Sequence, residues 1–401
     1  MQKPAPAAPP VARQLSVQAV IDAVLEHGPI SRVQLAKVTG LSKQTMSEVV
    51  RDLENEGWLR IGGQGTGSVG RRAVMYEFEE SACYVLGVDL GGSSLRAAIA
   101  SMSGKIAAEA TEDTDRRGGL FALDQIADLV ARLVREAGID RGRLRRGVIA
   151  VSGFVQHSTG AVLAASNIPG VGTINFAGEL QARLGIPLTV ENAVDMATRG
   201  EQWRGSARGI DNFCFVAHGA GIGMGAIIGG KLLKGRKGAV GEIAFLPIGA
   251  HPFDPRKFSA GTLESEVGAA AMVEKFTAFG GFAGASVRDI FDAAQKSYEP
   301  AVAVVKETAR LVALAIASVV AVLDPEVVIM GGQIGVRPEM IEAVRRYIPR
   351  CTPLAPEIKP TALGARAQLV GAVFTASELA YEETFGVSAG NAIRLAPRNG
   401  A

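Results

Sequence analysis

The apolar residues between positions 15 and 61 recur at helical spacing and predict three short helices. The first helix carries an apolar stripe of Val17, Val20, Ile21, Val24 and Leu25. Ser31 and Gln34 form a capping-box pattern that begins the second helix, which stops at Gly40. Ser42 can cap the third helix, whose apolar stripe comprises Met46, Val49, Val50 and Leu53. Two alternating segments, 58–61 and 73–78, then predict a pair of strands around a glycine-rich loop.

Beyond residue 80, apolar strand patterns alternate with longer helical ones. Buried-strand patterns occupy 84–88, 95–100, 146–151, 187–190, 213–217 and 326–330, and helical patterns occupy 120–137, 302–323 and 369–385. Strands that alternate with helices in this way predict an α/β unit with a partly parallel sheet.

Glycine turns follow three of these strands. Asp89-Leu90-Gly91-Gly92 and His218-Gly219-Ala220-Gly221 each join two strand patterns, and Gly331-Gly332 leads from a strand into a helix. Glycine lets backbone amides approach a ligand closely, because it has no Cβ and adopts positive φ. Asp89 ends its strand and is predicted to face such a ligand, or a metal held by it.

Two hairpins followed by a strand-to-helix turn resemble the nucleotide loops of the actin-like ATPase fold, and within that fold the ROK family (repressors, open reading frames, sugar kinases). The resemblance covers about residues 80–401. It implies a ribonuclease H-like, two-lobed domain, with lobe 1 at about 80–199 plus a closing helix at about 367–387, and lobe 2 at about 200–366. The resemblance also assigns vestigial phosphate-loop positions, namely Asp89, Gly91, Gly92 and Gly221.

Residues 15–79 follow the plan of a winged helix-turn-helix, after a Pro- and Ala-rich stretch, 1–14, that is predicted to be disordered. The predicted DNA contacts are Lys43, Gln44, Thr45, Ser47 and Arg51 on the third helix and Arg71 and Arg72 in the wing. Residues 1–80 contain nine Lys/Arg and nine Asp/Glu, so DNA binding is inferred from the placement of charge. A protein-binding scaffold is the alternative. The segment resembles the winged domain of ROK repressors.

The family resemblance also assigns sugar contacts and exposes a missing catalytic group. Asn167, Asn192, Glu242 and Glu264 match the sugar-binding positions. ROK kinases have Glu-Asn-Asp where this chain has Glu191-Asn192-Ala193, and the aspartate of that motif is the general base. A helix that begins at Ala193 turns Asp195 roughly 200° away from that position. Ala220 also replaces the threonine that helps to bind phosphate in the family.

The zinc site of the family is not matched either. Its four ligands, one His and three Cys, correspond here to Phe245, Pro255, Lys257 and Thr262. None of these side chains binds Zn²⁺ as the family site does, so no metal and no cofactor are predicted. Glu242 and Glu264 nevertheless keep their positions.

Composition adds few constraints. The chain has 401 residues, 48% of them hydrophobic, and a net charge of +2. Its three cysteines, Cys83, Cys214 and Cys351, lie far apart and fit a reducing cytoplasm. No apolar stretch suggests a membrane span or a signal peptide. Lys231, Lys234, Arg236 and Lys237 form a basic loop that is interpreted as a solvated surface.

These features predict a transcriptional regulator, most simply a repressor, whose kinase-like domain senses a sugar. Its predicted partners are operator DNA and a small sugar or sugar phosphate, and a palindromic operator would call for a homodimer or homotetramer. An ATP-dependent sugar kinase, acting alone or as part of a bifunctional protein, is the alternative enzyme hypothesis.

Overall fold

The structure is a computed structural model that describes residues 11–64, 73–156, 160–164 and 168–386. Some predicted features lie outside these residues: the wing arginines Arg71 and Arg72, the sugar-loop residue Asn167, and residues 1–10 of the Pro- and Ala-rich stretch. In the described part of the chain, no helix combines the length and apolarity needed to cross a bilayer.

The N-terminal unit has three helices and a three-stranded sheet. Its elements are α1 (Val11–His27), β1 (Ile30–Ser31), α2 (Arg32–Thr39), α3 (Lys43–Asn55), β2 (Leu59–Gln64) and β3 (Val74–Phe78), with strand order β1-β3-β2. The capping box is confirmed, because Ser31 Oγ accepts from the Gln34 amide at 3.3 Å and Gln34 Oε1 accepts from the Ser31 amide at 3.0 Å. Ser42 Oγ caps α3 by accepting from the Thr45 amide at 3.1 Å.

The first helix begins earlier than the sequence predicts. Residues 11–14, assigned above to a disordered tail, form the first turn of α1. No glycine or proline interrupts this stretch, and its Arg13 bonds Asp52 of α3 at 2.6 Å. The predicted boundary of the disordered stretch at residue 14 is therefore four residues too late.

The next unit is built on a five-stranded sheet. Its elements are β4 (Tyr84–Leu90), β5 (Ser94–Ser101), β6 (Ile106–Asp113), α4 (Gly119–Glu136), β7 (Leu144–Val151), β8 (Phe154–Gln156), β9 (Ala161–Ala164), α5 (Phe176–Leu184), β10 (Leu188–Asn192) and α6 (Ala193–Arg204). The strand order is β10-β7-β4-β5-β6, with β4, β7 and β10 parallel. The carboxyl ends of these parallel strands therefore share one edge, where Leu90, Val151 and Asn192 lie.

A second five-stranded sheet, with order β13-β12-β11-β14-β15, follows α6. This unit contains β11 (Phe213–His218), β12 (Ile222–Ile228), β13 (Lys231–Leu232), α7 (Glu264–Val267), α8 (Ala269–Ala278), α9 (Val287–Gln295), α10 (Glu299–Leu323), β14 (Val327–Gly331), α11 (Gly332–Gly335), α12 (Pro338–Cys351) and β15 (Glu357–Pro360). β11 and β12 form the predicted second hairpin, and Gly331 joins β14 to α11 as predicted.

The last helix, α13 (Ala367–Phe385), returns to the first sheet and packs on β4, β7 and α6. The approach is close, because a Cβ on Gly87 of β4 would lie 2.6 Å from a methyl carbon of Val373. One continuous apolar core contains residues of α1 and α3, of this sheet and of α13. The N-terminal unit is therefore joined to the first sheet by a hydrophobic interface.

Candidate functional site

The turn between β4 and β5 closes as the glycines require, but Asp89 has a protein partner. The Gly91 amide donates to Ser94 O at 3.0 Å, which forms the tight turn. Asp89 is 3% exposed, and its Oδ2 accepts from Arg96 Nη1 at 3.0 Å across the β4–β5 ladder. Burial raises the pKa of Asp89 to about 6, and Arg96 opposes that shift. The carboxylate is thus held by Arg96, whereas the sequence predicts that it faces a ligand.

Asn192 lies at the carboxyl edge of the first sheet and caps α6. Its Oδ1 accepts from the amides of Val194 at 2.7 Å and Asp195 at 3.2 Å, and its Nδ2 donates to Gly153 O at 2.8 Å. These bonds use most of the hydrogen-bonding capacity of the side chain. Ala193 follows it and is buried in the core that α13 shares. The methyl group at the position of the family base therefore faces protein rather than a substrate.

Asp195 lies in an acidic cluster that the sequence does not predict. It is 6% exposed, and burial together with the carboxylates of Glu191 and Glu242 raises its pKa to about 7. Lys234 and Arg199 oppose this shift. Although Asp195 is turned away from the Ala193 position, its carboxyl group feels the charge of Glu242.

Lys234 is the second residue that the sequence does not identify. Its Nζ lies 2.8 Å from Oε1 and 3.0 Å from Oε2 of Glu191, the residue before Asn192. The interpretation of the whole 231–237 loop as a solvated surface is therefore wrong for Lys234. This ion pair joins the segment after β13, in the second unit, to the end of β10, in the first. The sequence signal for this ion pair was limited to the carboxylate of Glu191 beside the predicted sugar contact Asn192, since a buried carboxylate needs a cationic partner.

Glu242 and Glu264 come together, as the two sugar-binding positions of the family require. Burial raises the pKa of both groups, and the charge of Glu264 raises that of Glu242 further. Glu264 Oε2 also accepts from the amide of Ile222 at 3.0 Å. A Cβ on Gly221 would overlap the Glu264 carboxylate, so the glycine of this loop makes room for a carboxylate. One amide of the second glycine turn is consequently occupied, and the carboxylate that it bonds would repel a phosphate.

The positions that correspond to the family zinc ligands have other roles. Phe245 is exposed, Pro255 begins a 3-10 turn, and Lys257 bonds Glu266 at 2.5 Å. Among the described residues, no group of three or more His, Cys, Asp and Glu side chains could hold a metal ion.

The predicted DNA-reading helix presents most of its polar residues to solvent. Lys43, Gln44, Ser47 and Arg51 are exposed along α3. Thr45 is half-buried, and its Oγ1 lies 2.9 Å from Ser42 Oγ in the helix cap. Gln44 Nε2 donates to Glu48 at 3.2 Å, a contact that a base edge would have to replace. The wing tip that would accompany this helix lies outside the described residues.

Comparisons with known proteins agree with both parts of this architecture. The sequence pattern of the ROK family matches residues 85–378. The chain belongs to the ROK family. The pattern of the MarR family matches residues 19–68, so a MarR-type winged helix precedes the ROK domain.

Individual relatives include both regulators and kinases. A putative xylose repressor from Caldicellulosiruptor sp. (strain Rt8B.4) is 24% identical over 353 residues, which cover 84% of this chain and 88% of that protein. The ROK hexokinase of Thermus thermophilus is 29% identical, with a TM-score of 0.63 over 76% of this chain and 100% of its own. A ROK family transcriptional regulator, a homologue of the E. coli MLC protein, shares the fold at 22% identity, with a TM-score of 0.75 over 96% of this chain and 99% of its own.

The ROK domain meets the winged helix through the end of α13. Tyr381 Oη donates to Asp22 Oδ1 of α1 at 3.0 Å, and the Phe385 ring meets Trp58 edge-on at 5.2 Å. Burial raises the pKa of Asp22, and the hydrogen bond from Tyr381 partly offsets that increase. A buried hydrogen bond within an apolar interface fixes the relative orientation of the two domains.

The other end of this connection reaches the edge of the ROK domain where the predicted sugar contact Asn192 lies. A Cβ on Gly371 of α13 would overlap Met196 O of α6, and a Cβ on Gly200 of α6 would overlap Ala367 O. Arg199 of α6 bonds Glu378 of α13 and lies over the Phe374 ring at 4.9 Å. The two helices are thus in backbone contact and ion-paired, so a displacement of α6 moves α13.

Proposed function

We propose that this chain is a sugar-responsive, DNA-binding transcriptional repressor whose ROK domain has lost kinase activity. One observation carries the proposal: α6 begins at the acidic cluster and packs on α13, whose far end bonds the winged helix. Repressors among the relatives support the same reading, since the putative xylose repressor matches across most of both chains. On this reading the protein acts in the cytoplasm on operator DNA.

The effector is a neutral sugar rather than a sugar phosphate. The site has four carboxyl groups, those of Glu191, Asp195, Glu242 and Glu264. Lys234 is already paired with Glu191. A phosphate would meet these carboxylates and the occupied amide of Ile222. Sugar hydroxyls, by contrast, donate readily to carboxylate oxygens. Glu242 and Glu264 are the proposed principal contacts, with Asn167 and Asn192 as further candidates.

The proposed mechanism couples sugar binding to the position of the winged domain. A sugar held between Glu242 of the second lobe and the α6 edge of the first would favour one lobe arrangement. Because α6 and α13 move together, the winged domain would be repositioned. In a homodimer or homotetramer that changes the spacing of two recognition helices, which must match the operator half-sites. The sugar shifts this equilibrium only by its differential affinity for the two arrangements.

The test is fluorescence anisotropy with the upstream intergenic DNA of its own gene, at fixed salt, against paired free and phosphorylated sugars. We expect specific binding that one free sugar weakens and its phosphate ester does not. Glu242→Gln should reduce the response to sugar while operator affinity in its absence is retained. Glu274→Gln, which changes an exposed carboxylate of α8, is the matched control. Operator affinity that no sugar alters would overturn the sensor proposal.

A sugar kinase is the second candidate, because Asp195 is a buried carboxylate with a pKa near neutrality, a property that suits a general base. ROK relatives that are kinases, such as the hexokinase of Thermus thermophilus, add weight to it. The occupied Ile222 amide and Ala193 oppose it. Sugar-dependent ADP release that Asp195→Asn abolishes would favour this candidate over the repressor without catalysis.

A further inference from the structure

A groove of about 660 Å³ opens where the winged helix, the first sheet and α13 meet. Its lining includes Trp58 from the winged domain, Arg141, Arg145 and Arg183 from the ROK domain, and Glu383 and Thr384 from α13. The volume lies within the range of about 300–1,000 Å³ that is typical of small-molecule sites.

The groove is distinct from the sugar site. It lies beside Leu144 and Pro187, where β7 and β10 begin, whereas the acidic cluster lies where β10 ends. The length of these strands separates the two by roughly 20 Å. Trp58 also immediately precedes β2, so the groove lies at the opposite end of β2 from Gln64.

The charge of the groove is positive and partly uncompensated. Glu383 is neutralised by Arg146 at 2.6 Å, and Arg183 by Asp124 and Glu179, each at 2.9 Å. Arg141 instead donates to the backbone carbonyl of Leu184 at 3.0 Å. Within the described residues, Arg141 and Arg145 make no ion pair.

Two features make this more than a basic surface. The bond to a carbonyl oxygen holds the Arg141 guanidinium in place without neutralising it, so less freedom is lost when an anion binds. The Trp58 ring, packed against Phe385 and stacked 6.4 Å from Phe78, supplies a fixed apolar wall. Guanidinium groups beside a rigid ring suit a compact polyanion, because they form bidentate, charge-assisted hydrogen bonds with phosphate and carboxylate oxygens.

We propose that this groove is a second ligand site, which binds a small polyanion through the Arg141 and Arg145 guanidinium groups against Trp58. The shared chemistry is phosphate or clustered carboxylates. Because its walls belong to both domains, a bound anion bridges the winged helix and the ROK domain. Anion binding would therefore stabilise one orientation of the DNA-binding domain independently of the sugar.

Trp58 provides a direct readout, since the chain has two tryptophans and the other, Trp203, is buried. The full-length protein is titrated with inorganic pyrophosphate and, separately, citrate, at ionic strength matched with potassium chloride. We expect a saturable change in tryptophan emission that Trp58→Phe removes. Pyrophosphate binding alone would identify a phosphate ligand, and citrate binding alone a carboxylate ligand.

Variants separate a site from general charge screening. Arg145→Ala and Arg141→Ala should each weaken binding about tenfold, as expected for loss of one charged hydrogen-bond partner. Arg143→Ala is the matched control, because this neighbouring arginine bonds Ser81 O at 2.7 Å and does not line the groove. Calorimetry on the same variants provides a readout that does not depend on Trp58. No saturable binding of either probe, or equal weakening by Arg143→Ala, would overturn the proposal.

Discussion

The hydroxyl group of Tyr381, near the end of the last helix, donates a 3.0 Å hydrogen bond to the carboxylate of Asp22 in the first helix. The two residues are 359 positions apart in the sequence, and their bond lies beside the shared apolar core. Burial raises the pKa values of both groups, so each depends on the other for its polar partner. This contact therefore couples the orientation of the winged helix to the ROK domain.

Removal of the Tyr381 hydroxyl group should weaken the coupling between sugar and operator binding more than it weakens sugar binding itself. In Tyr381→Phe the ring still packs on Phe385, but Asp22 loses its donor. We expect a loss of about 1 kcal/mol of stability and a smaller sugar-dependent change in operator affinity. Fluorescence anisotropy with and without sugar measures the coupling, and calorimetry measures sugar affinity.

Tyr298→Phe is the matched control for this experiment. Its hydroxyl group donates to Gly280 O at 3.1 Å within the second lobe, far along the chain from the interface with the winged helix. That variant should keep full coupling. If Tyr381→Phe responds to sugar as fully as Tyr298→Phe does, the Tyr381–Asp22 contact does not transmit the signal.

The backbone contact between α6 and α13 should tolerate no added carbon. A Cβ on Gly371 would overlap Met196 O, which is main chain and cannot rotate away. Gly371→Ala should therefore destabilise the protein by about 2 kcal/mol or more, despite the helix propensity of alanine. Chemical denaturation checks this, with Gly142→Ala as control, because there the nearest atom lies 3.4 Å away. Equal stability of the two variants would show that the helices can separate at little cost.

The elements that depend on local signals were predictable from the sequence. The Ser31–Gln34 capping box and the glycine turns at Gly91 and Gly221 are each specified by a few adjacent residues, and the structure confirms all three. Apolar periodicity likewise predicted α3 and most strands of the two five-stranded sheets, but neither β13 nor β15. Such signals act within one turn or one hairpin, so a single sequence is enough to read them.

Contacts between distant segments were not predictable in the same way. Nothing near Lys234 indicates that it bonds Glu191, which is 43 positions away. The helix predicted to begin at Ala193 is confirmed, and it sets the angle between the side chains of Ala193 and Asp195. That angle could not show that Glu242, from another segment, lies near Asp195. An asparagine side chain suits both a sugar contact and a helix N-cap. The structure shows that Asn192 caps α6.

The exposed face of α3 leads to a prediction that separates affinity from sequence specificity. If Lys43 contacts a phosphate, Lys43→Ala should weaken operator and non-specific DNA alike and reduce the salt slope by about one. If Gln44 reads a base, Gln44→Ala should cost about 1–3 kcal/mol on the operator only. Anisotropy titrations over a salt series measure both effects, with the exposed Lys306→Ala of α10 as control. Unchanged salt slopes in Lys43→Ala would remove this residue from the DNA interface.

The raised pKa of Asp195 implies a specific dependence of stability on pH. The folded protein holds the Asp195 proton up to about pH 7, whereas the unfolded chain releases it near 3.8. Between these values the folded state binds the extra proton, so this group stabilises the protein at low pH and the contribution is lost as pH rises. The slope is at most about 1.4 kcal/mol per pH unit.

Chemical denaturation of wild type and Asp195→Asn at pH 5, 6, 7 and 8 should therefore show wild type losing stability relative to the variant up to pH 7, and a constant difference above it. Asp128→Asn, which removes an exposed carboxylate of α4, should follow wild type throughout. A pH-independent difference between wild type and Asp195→Asn would mean that Asp195 is ionised in the folded protein, and its cluster would then repel anionic effectors even more strongly.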